Sequence, residues 1–117
     1  MPAINLPDGT LYYAQSHPDA TAFPPLVLVH GAGGSRLDWA PDLRRLPGAR
    51  VIALDLPGHG KSTAPGRTTL DGCARDVAAL LDALALDRAV IVGHSMGGAV
   101  AQLLALDRPE CIAGLVL

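Results

Sequence analysis

Three uninterrupted apolar runs, LVLV at 26–29, VIAL at 51–54 and AVIV at 89–92, each lead into a glycine-bearing loop and then a helical pattern. A strand with one wet face alternates apolar and polar residues, whereas a strand covered on both faces reads as continuous Val, Ile and Leu. Three such strands separated by helices predict a doubly wound α/β fold: a three-layer α/β/α sandwich around a mostly parallel sheet, with right-handed crossovers. Half of the 117 residues are hydrophobic but only 3% are aromatic, so the core must be built from Ala, Leu and Val. A single domain of this length hides roughly two-thirds of its unfolded surface.

Ahead of these runs, residues 3–16 read as two short strands around Asp8-Gly9, a pair that accepts positive φ and so marks an antiparallel hairpin. Tyr12 and Tyr13 fall within its second strand. The segment 68–86 predicts a helix with Thr68 as N-cap, and Leu70, Cys73, Val77, Leu80, Leu81 and Leu84 share one face at helical spacing. A second helix is expected from Met96 to Asp107, halted where Arg108 precedes Pro109. A shorter one is expected near Trp39–Leu46, with Pro41 in its first turn, Asp38 as N-cap, Trp39 packed on the sheet, and Arg44 and Arg45 on a solvated face. The closing residues CIAGLVL read as a sixth, central strand. A bare apolar strand at the rim of a sheet is what natural domains avoid, so residues 1–117 are expected to be the N-terminal part of one longer domain, lacking later strands and loops.

The formal net charge is −2 and the nine basic residues are scattered, which argues against a nucleic acid or an anionic membrane as partner. No apolar run approaches the roughly 20 residues of a membrane span. Cys73 and Cys111 stand apart, without metal-ligand spacing, and no signal-peptide pattern opens the chain, so a cytoplasmic location with reduced thiols is expected. Oligomeric state leaves no trace in the sequence.

Two glycine loops imitate nucleotide sites. DLPGHGKS ends like a phosphate loop, but Asp55 stands where its first glycine belongs, Pro57 lacks an N–H, and Pro65-Gly66 break the helix that should follow. GAGGSR begins like a dinucleotide fingerprint, yet Arg36 occupies the third glycine position. More specific is Gly93-His94-Ser95-Met96-Gly97, which fits GxSxG between an apolar strand and a helix. A serine on so tight a turn is forced into strained dihedrals, and small residues at 93 and 97 avoid a collision across it; Gly98 and Ala99 are expected to let the helix lie close to the sheet. There amide N–H groups and the positive end of the helix can stabilise an oxyanion.

With these residues in order, the chain resembles the α/β-hydrolase superfamily over almost its whole length. His30-Gly31-Ala32-Gly33-Gly34 is similar to that family's oxyanion loop, Asp55 to Ser62 to the loop after its fourth strand, and Gly93 to Gly97 to its nucleophile elbow. The resemblance implies Ser95 as nucleophile and the N–H groups of Met96 and Ala32 as oxyanion donors, with no cofactor and no metal. It implies a small-molecule ester, thioester, lactone or similar acyl substrate. A serine rather than an aspartate argues against members that open epoxides or displace halide.

The family's acid and histidine follow the nucleophile, whereas here only Asp107 and Glu110 follow Ser95 as acids, and no histidine does. Of the upstream histidines, His30 reads as structural, His94 should be turned aside by its adjacency to the serine, His17 lies in a surface loop, and His59 is the nearest to a substitute base. A serine without a base is a poor nucleophile. The expectation is therefore a serine hydrolase whose histidine and acid lie beyond Leu117, inactive as the isolated chain. The alternative is a hydrolase-like module retained for binding a small ligand or a protein.

Overall fold

The computed structural model describes residues 2–117. The hairpin strands are β1 (Ala3–Leu6) and β2 (Gly9–Ser16), followed by β3 (Leu26–Val29), α1 (Pro41–Arg44), β4 (Val51–Leu54), α2 (Leu70–Ala83), β5 (Ala89–Gly93), α3 (Met96–Asp107) and β6 (Ile112–Val116). Six strands form one sheet in the order β1-β2-β4-β3-β5-β6. The first two are antiparallel to their neighbours, and β4, β3, β5 and β6 run parallel. The three apolar runs are the central strands, buried almost throughout, as continuous hydrophobicity requires.

Alternate side chains of those strands enter different cores. Val27, Val29, Ile52, Leu54 and Ile91 pack against α2 and α3 through Val77, Leu80, Leu81, Val100 and Leu104. Leu28, Ala53 and Val92 face the other way, onto a smaller cluster capped by Trp39 and Leu43. The sandwich thus has three layers of unequal thickness. No helix among the described residues is long and apolar enough to cross a membrane.

Local details depart from the expectations. The N-cap of α2 is Thr69, not Thr68; its hydroxyl accepts the Gly72 N–H at 3.0 Å, which moves the helix start by one residue and leaves Leu70 40% exposed at its rim. The helix near Trp39–Leu46 shrinks to Pro41–Arg44: Trp39 and Ala40 are extended, as the residue before a proline prefers, and Arg45 ends the helix as its C-cap, while a separate 3₁₀ turn spans Arg36–Asp38. Asp38 is therefore not an N-cap: Ser35 caps that turn, and the Asp38 carboxylate reaches back to the Ser35 N–H. Arg44 is not simply solvated, since its Nε donates to the Trp39 carbonyl at 2.9 Å. At the far rim of the sheet, β6 joins β5 through an irregular register at Ala89/Val90 and leaves Val116 and Leu117 more than half exposed.

Candidate active site

The strand order puts β4 on one side of β3 and β5 on the other, so the loops leaving β3 and β5 diverge to opposite sides at this switch point. Crevices outside the carboxyl ends of strands at such a point are where open α/β sheets bind ligands. Val29 and Gly93 end the two strands side by side, and the His94 N–H donates to the Val29 carbonyl at 3.1 Å.

Ser95 follows immediately, with φ 56° and ψ −118°, a conformation L residues avoid. Its side chain makes no capping bond to α3 and the residue is exposed. The corner closes because its flanks are bare. A Cβ at Gly93 would sit 2.6 Å from the Gly97 carbonyl carbon and the Gly98 Cα, and one at Gly97 would run into the Val29 carbonyl and lie 2.6 Å from the His30 oxygen. Gly97 is what lets α3 approach the sheet; the role expected of Gly98 is minor, since a Cβ there would meet only ordinary contacts of 3.5 Å or more. Gly97 and Gly98 send their amides to the His94 and Ser95 carbonyls, whereas the Met96 N–H, first in α3, has no partner among the described residues.

The loop after β3 abuts this corner. A Cβ at Gly31 would lie 3.3 Å from both the His94 oxygen and the Ser95 Cβ. The loop folds as a turn closed by Gly34 N–H to the Gly31 carbonyl (3.1 Å), with Gly33 at φ 74° in the third position, where a type II turn needs glycine. The Ala32 N–H has no partner among the described residues.

The histidines divide sharply. His30 is buried, and its Nε2 accepts the Leu56 N–H at 2.9 Å, which leaves the proton on Nδ1 to be donated to the Gly31 carbonyl at 2.7 Å. Burial pushes its pKa down from the usual imidazole value, so the neutral form is favoured. His59 Nε2 accepts the Gly33 N–H at 3.0 Å, and its Nδ1 lies 3.0 Å from the Pro57 carbonyl. His17 is exposed at the end of β2. His94 is exposed beside Ser95 and packs edge-on to Trp39, with centroids 6.5 Å apart. No imidazole among the described residues is hydrogen-bonded to the serine hydroxyl. Asp107 lies at the opposite end of α3, about 17 Å along its axis.

Sequence reasoning missed one pair. Asp55, fully buried at the end of β4, accepts the Arg36 N–H at 2.8 Å, the Arg36 guanidinium at 2.6 Å and the Lys61 N–H at 2.9 Å. In the sequence Arg36 stands out only as a misfit to a dinucleotide motif, and Asp55 as a misfit to a phosphate loop and the first residue of the loop after β4, yet a carboxylate directly after a buried strand demands a cationic or amide partner. The guanidinium also sits 4.6 Å above the Tyr12 ring. Over the site, His30, Asp38, Trp39 and His94 line a cavity of about 340 Å³. No group of three or more His, Cys, Asp or Glu among the described residues is placed to hold a metal ion. Burial raises the pKa of the Cys73 thiol, far from reactive thiolate behaviour.

Comparison with known proteins agrees with this layout. The family described as alpha/beta hydrolase fold matches residues 24–117. The chain is similar to the dihydrolipoyllysine-residue acetyltransferase component of the acetoin cleaving system of Pseudomonas putida, 50% identical over 95 residues that cover 80% of this chain and 26% of that protein. It is 38% identical over 102 residues to the sn-1-specific diacylglycerol lipase ABHD11 of Mus musculus, covering 85% of this chain and 33% of the relative. Among solved structures, Est816, described as an N-acyl homoserine lactone degrading enzyme, superposes with a TM-score of 0.83 at 32% identity, over 97% of this chain and 43% of that one. The chain thus spans about a quarter to a third of the length of these curated relatives. A family match across most of the sequence, joined to the same strand architecture in solved relatives, shows that the chain belongs to the α/β-hydrolase fold family.

Proposed function

We propose that Ser95 is the nucleophile of a serine hydrolase that cleaves an ester, thioester, lactone or related acyl bond. The Ser95 oxygen bonds to the acyl carbonyl carbon while its proton passes to a histidine supplied from outside these 117 residues. The carbonyl oxygen, now negative, is held by the N–H groups of Met96 and Ala32, and the leaving group departs with the transferred proton. Water, activated by the same histidine, then releases the acid and restores the serine. No step requires a cofactor, and the substrate is a small acyl compound met in the cytoplasm.

One observation carries this reading: an exposed serine at φ 56° heads α3 beside a free Met96 amide, with the free Ala32 amide in the loop that abuts it. Backbone strain of this sort persists where the surroundings enforce it and a function uses it. Lipase and lactone-degrading relatives support acyl chemistry. The test is a fluorophosphonate probe together with p-nitrophenyl butyrate hydrolysis. In the full-length protein the adduct is expected on Ser95, and Ser95→Ala should lower turnover by at least about 10⁴-fold. The 117-residue polypeptide should show no Ser95-dependent turnover, because both His30 nitrogens and both His59 nitrogens are engaged elsewhere and no imidazole among the described residues, the exposed His94 included, is hydrogen-bonded to the serine hydroxyl. Undiminished hydrolysis by Ser95→Ala, or brisk Ser95-dependent hydrolysis by residues 1–117 alone, overturns the proposal.

A further inference from the structure

The loop that carries the Ala32 amide has little of its own to hold it in shape. Gly31, Gly33 and Gly34 surround Ala32, and glycine is the residue least restrained in φ and ψ. The turn is closed across its ends, Gly34 N–H to the Gly31 carbonyl, but that bond leaves the central Ala32–Gly33 peptide free to rotate. The N–H of this central peptide is the one that donates to His59 Nε2 at 3.0 Å, 26 residues away in sequence.

His59 is itself firmly held. A backbone N–H only donates, so Nε2 must present its lone pair to Gly33 and the ring proton must sit on Nδ1, where the Pro57 carbonyl accepts it at 3.0 Å. One neutral tautomer satisfies both contacts. The loop beneath is fixed by Gly58 N–H to the Ala64 carbonyl at 2.8 Å, Ser62 hydroxyl to the Asp55 carbonyl at 2.6 Å and Lys61 N–H to the Asp55 carboxylate at 2.9 Å. The His30 ring lies 5.0 Å from the His59 ring, centroid to centroid.

We propose that His59 is a positioning residue for the oxyanion loop: by accepting the Gly33 N–H it ties the residue after Ala32 to the loop that follows β4, and so holds Ala32, whose own N–H lies in the preceding peptide, in one place in the loop that abuts Ser95. It neither touches substrate nor takes the serine proton. The inference rests on the reading of Ser95 as nucleophile and Ala32 as oxyanion donor. It adds that an acceptor at the Nε2 position, rather than a ring in general, is what the loop requires.

The test uses full-length protein and the second-order rate of fluorophosphonate labelling at Ser95, since the phosphonyl oxygen enters the same donor pair. Asparagine reproduces the Nδ1 contact to Pro57 but stops short of Gly33, whereas glutamine carries its amide oxygen out to the Nε2 position. His59→Asn should label at least about tenfold more slowly, because donors misplaced by a fraction of an ångström lose much of their effect, with His59→Gln within about threefold of the wild type. On p-nitrophenyl butyrate the loss should fall on kcat and leave KM nearly unchanged. Thermal melts accompany each variant, and if His59→Asn is unfolded at the assay temperature, His59→Leu takes its place as the acceptor-free variant. Equal rates for wild type and the acceptor-free variant, or equal slowing by asparagine and glutamine, overturn the proposal. Absence of Ser95 labelling in the wild type overturns instead the reading on which it rests, and the two failures are thereby distinct.

Discussion

Among the described residues Ser95 keeps its hydroxyl free, on a residue of positive φ, whereas His30, His59 and Asp55, in the loops beside it, engage every side-chain nitrogen and oxygen they possess. Both regions sit at the carboxyl edge of the same sheet. The difference teaches how a strained corner survives: an unfavourable φ/ψ pair and open amides are tolerated when neighbouring loops are over-determined. On the proposed reading the open polar groups are those that serve chemistry, and the satisfied ones form the frame.

The largest expected effect attacks the frame. Asp55→Ala strips the partners from the Arg36 N–H, the Lys61 N–H and a guanidinium only 12% exposed, so urea unfolding should show a loss of about 3–5 kcal/mol, the range for breaking a buried pair by removing one side. A loss below about 1 kcal/mol would mean the loops are screened by water and the contrast with the elbow is false. Next is the contact that seats the elbow. Gly97→Ala places a methyl against the Val29 and His30 carbonyls, and α3 must lift from the sheet, costing about 1–3 kcal/mol by the same measurement. It should also slow phosphonate labelling, because the Met96 amide moves with the helix.

How much of this contrast the sequence displays depends on whether the signal is local. The sheet and the ends of α3 could be read from residues 26–29, 51–54, 89–92 and Pro109, where hydrophobic period and proline chemistry act within a few positions. The elbow could be read for the same reason, since Gly93, Ser95 and Gly97 are near neighbours. The frame could not. Arg36 and Asp55 meet only because β3 and β4 lie side by side, and His59 reaches Gly33 only because their loops leave adjacent strands. Even local capping misled at Thr68 and Asp38: the neighbouring Thr69 caps α2, while Asp38 closes the 3₁₀ turn that Ser35 caps and Ala40 stands at the head of α1.

A smaller, pH-dependent effect sharpens the comparison from the frame's side. Burial depresses the His30 pKa in the folded protein, so below about 6.5 the unfolded chain binds a proton that the folded one refuses. Stability from the neutral imidazole is then fully present above about pH 6.5 and is lost as pH falls toward the depressed folded value, with a slope of up to about 1.4 kcal/mol per pH unit. Urea unfolding between pH 5 and 7.5 should show this slope in the wild type and a shallower one in His30→Gln. Identical slopes would show that the frame does not hold His30 neutral.

The smallest expected effect goes to the strained residue itself and has the opposite sign. Ser95→Gly gives the φ 56°, ψ −118° position to the residue that adopts it most readily. Relief of one to three kcal/mol of strain, set against the roughly 0.5–1 kcal/mol that glycine's added freedom costs on folding, leaves a net gain of about 1 kcal/mol. Ser95→Ala retains a Cβ at the same dihedrals and should gain nothing. Both variants should lose the phosphonate adduct, so they are alike in function and unlike in stability. Were glycine and alanine to unfold at the same urea concentration, the corner would hold no strain, and the elbow would differ from the loops beside it only in having fewer bonds.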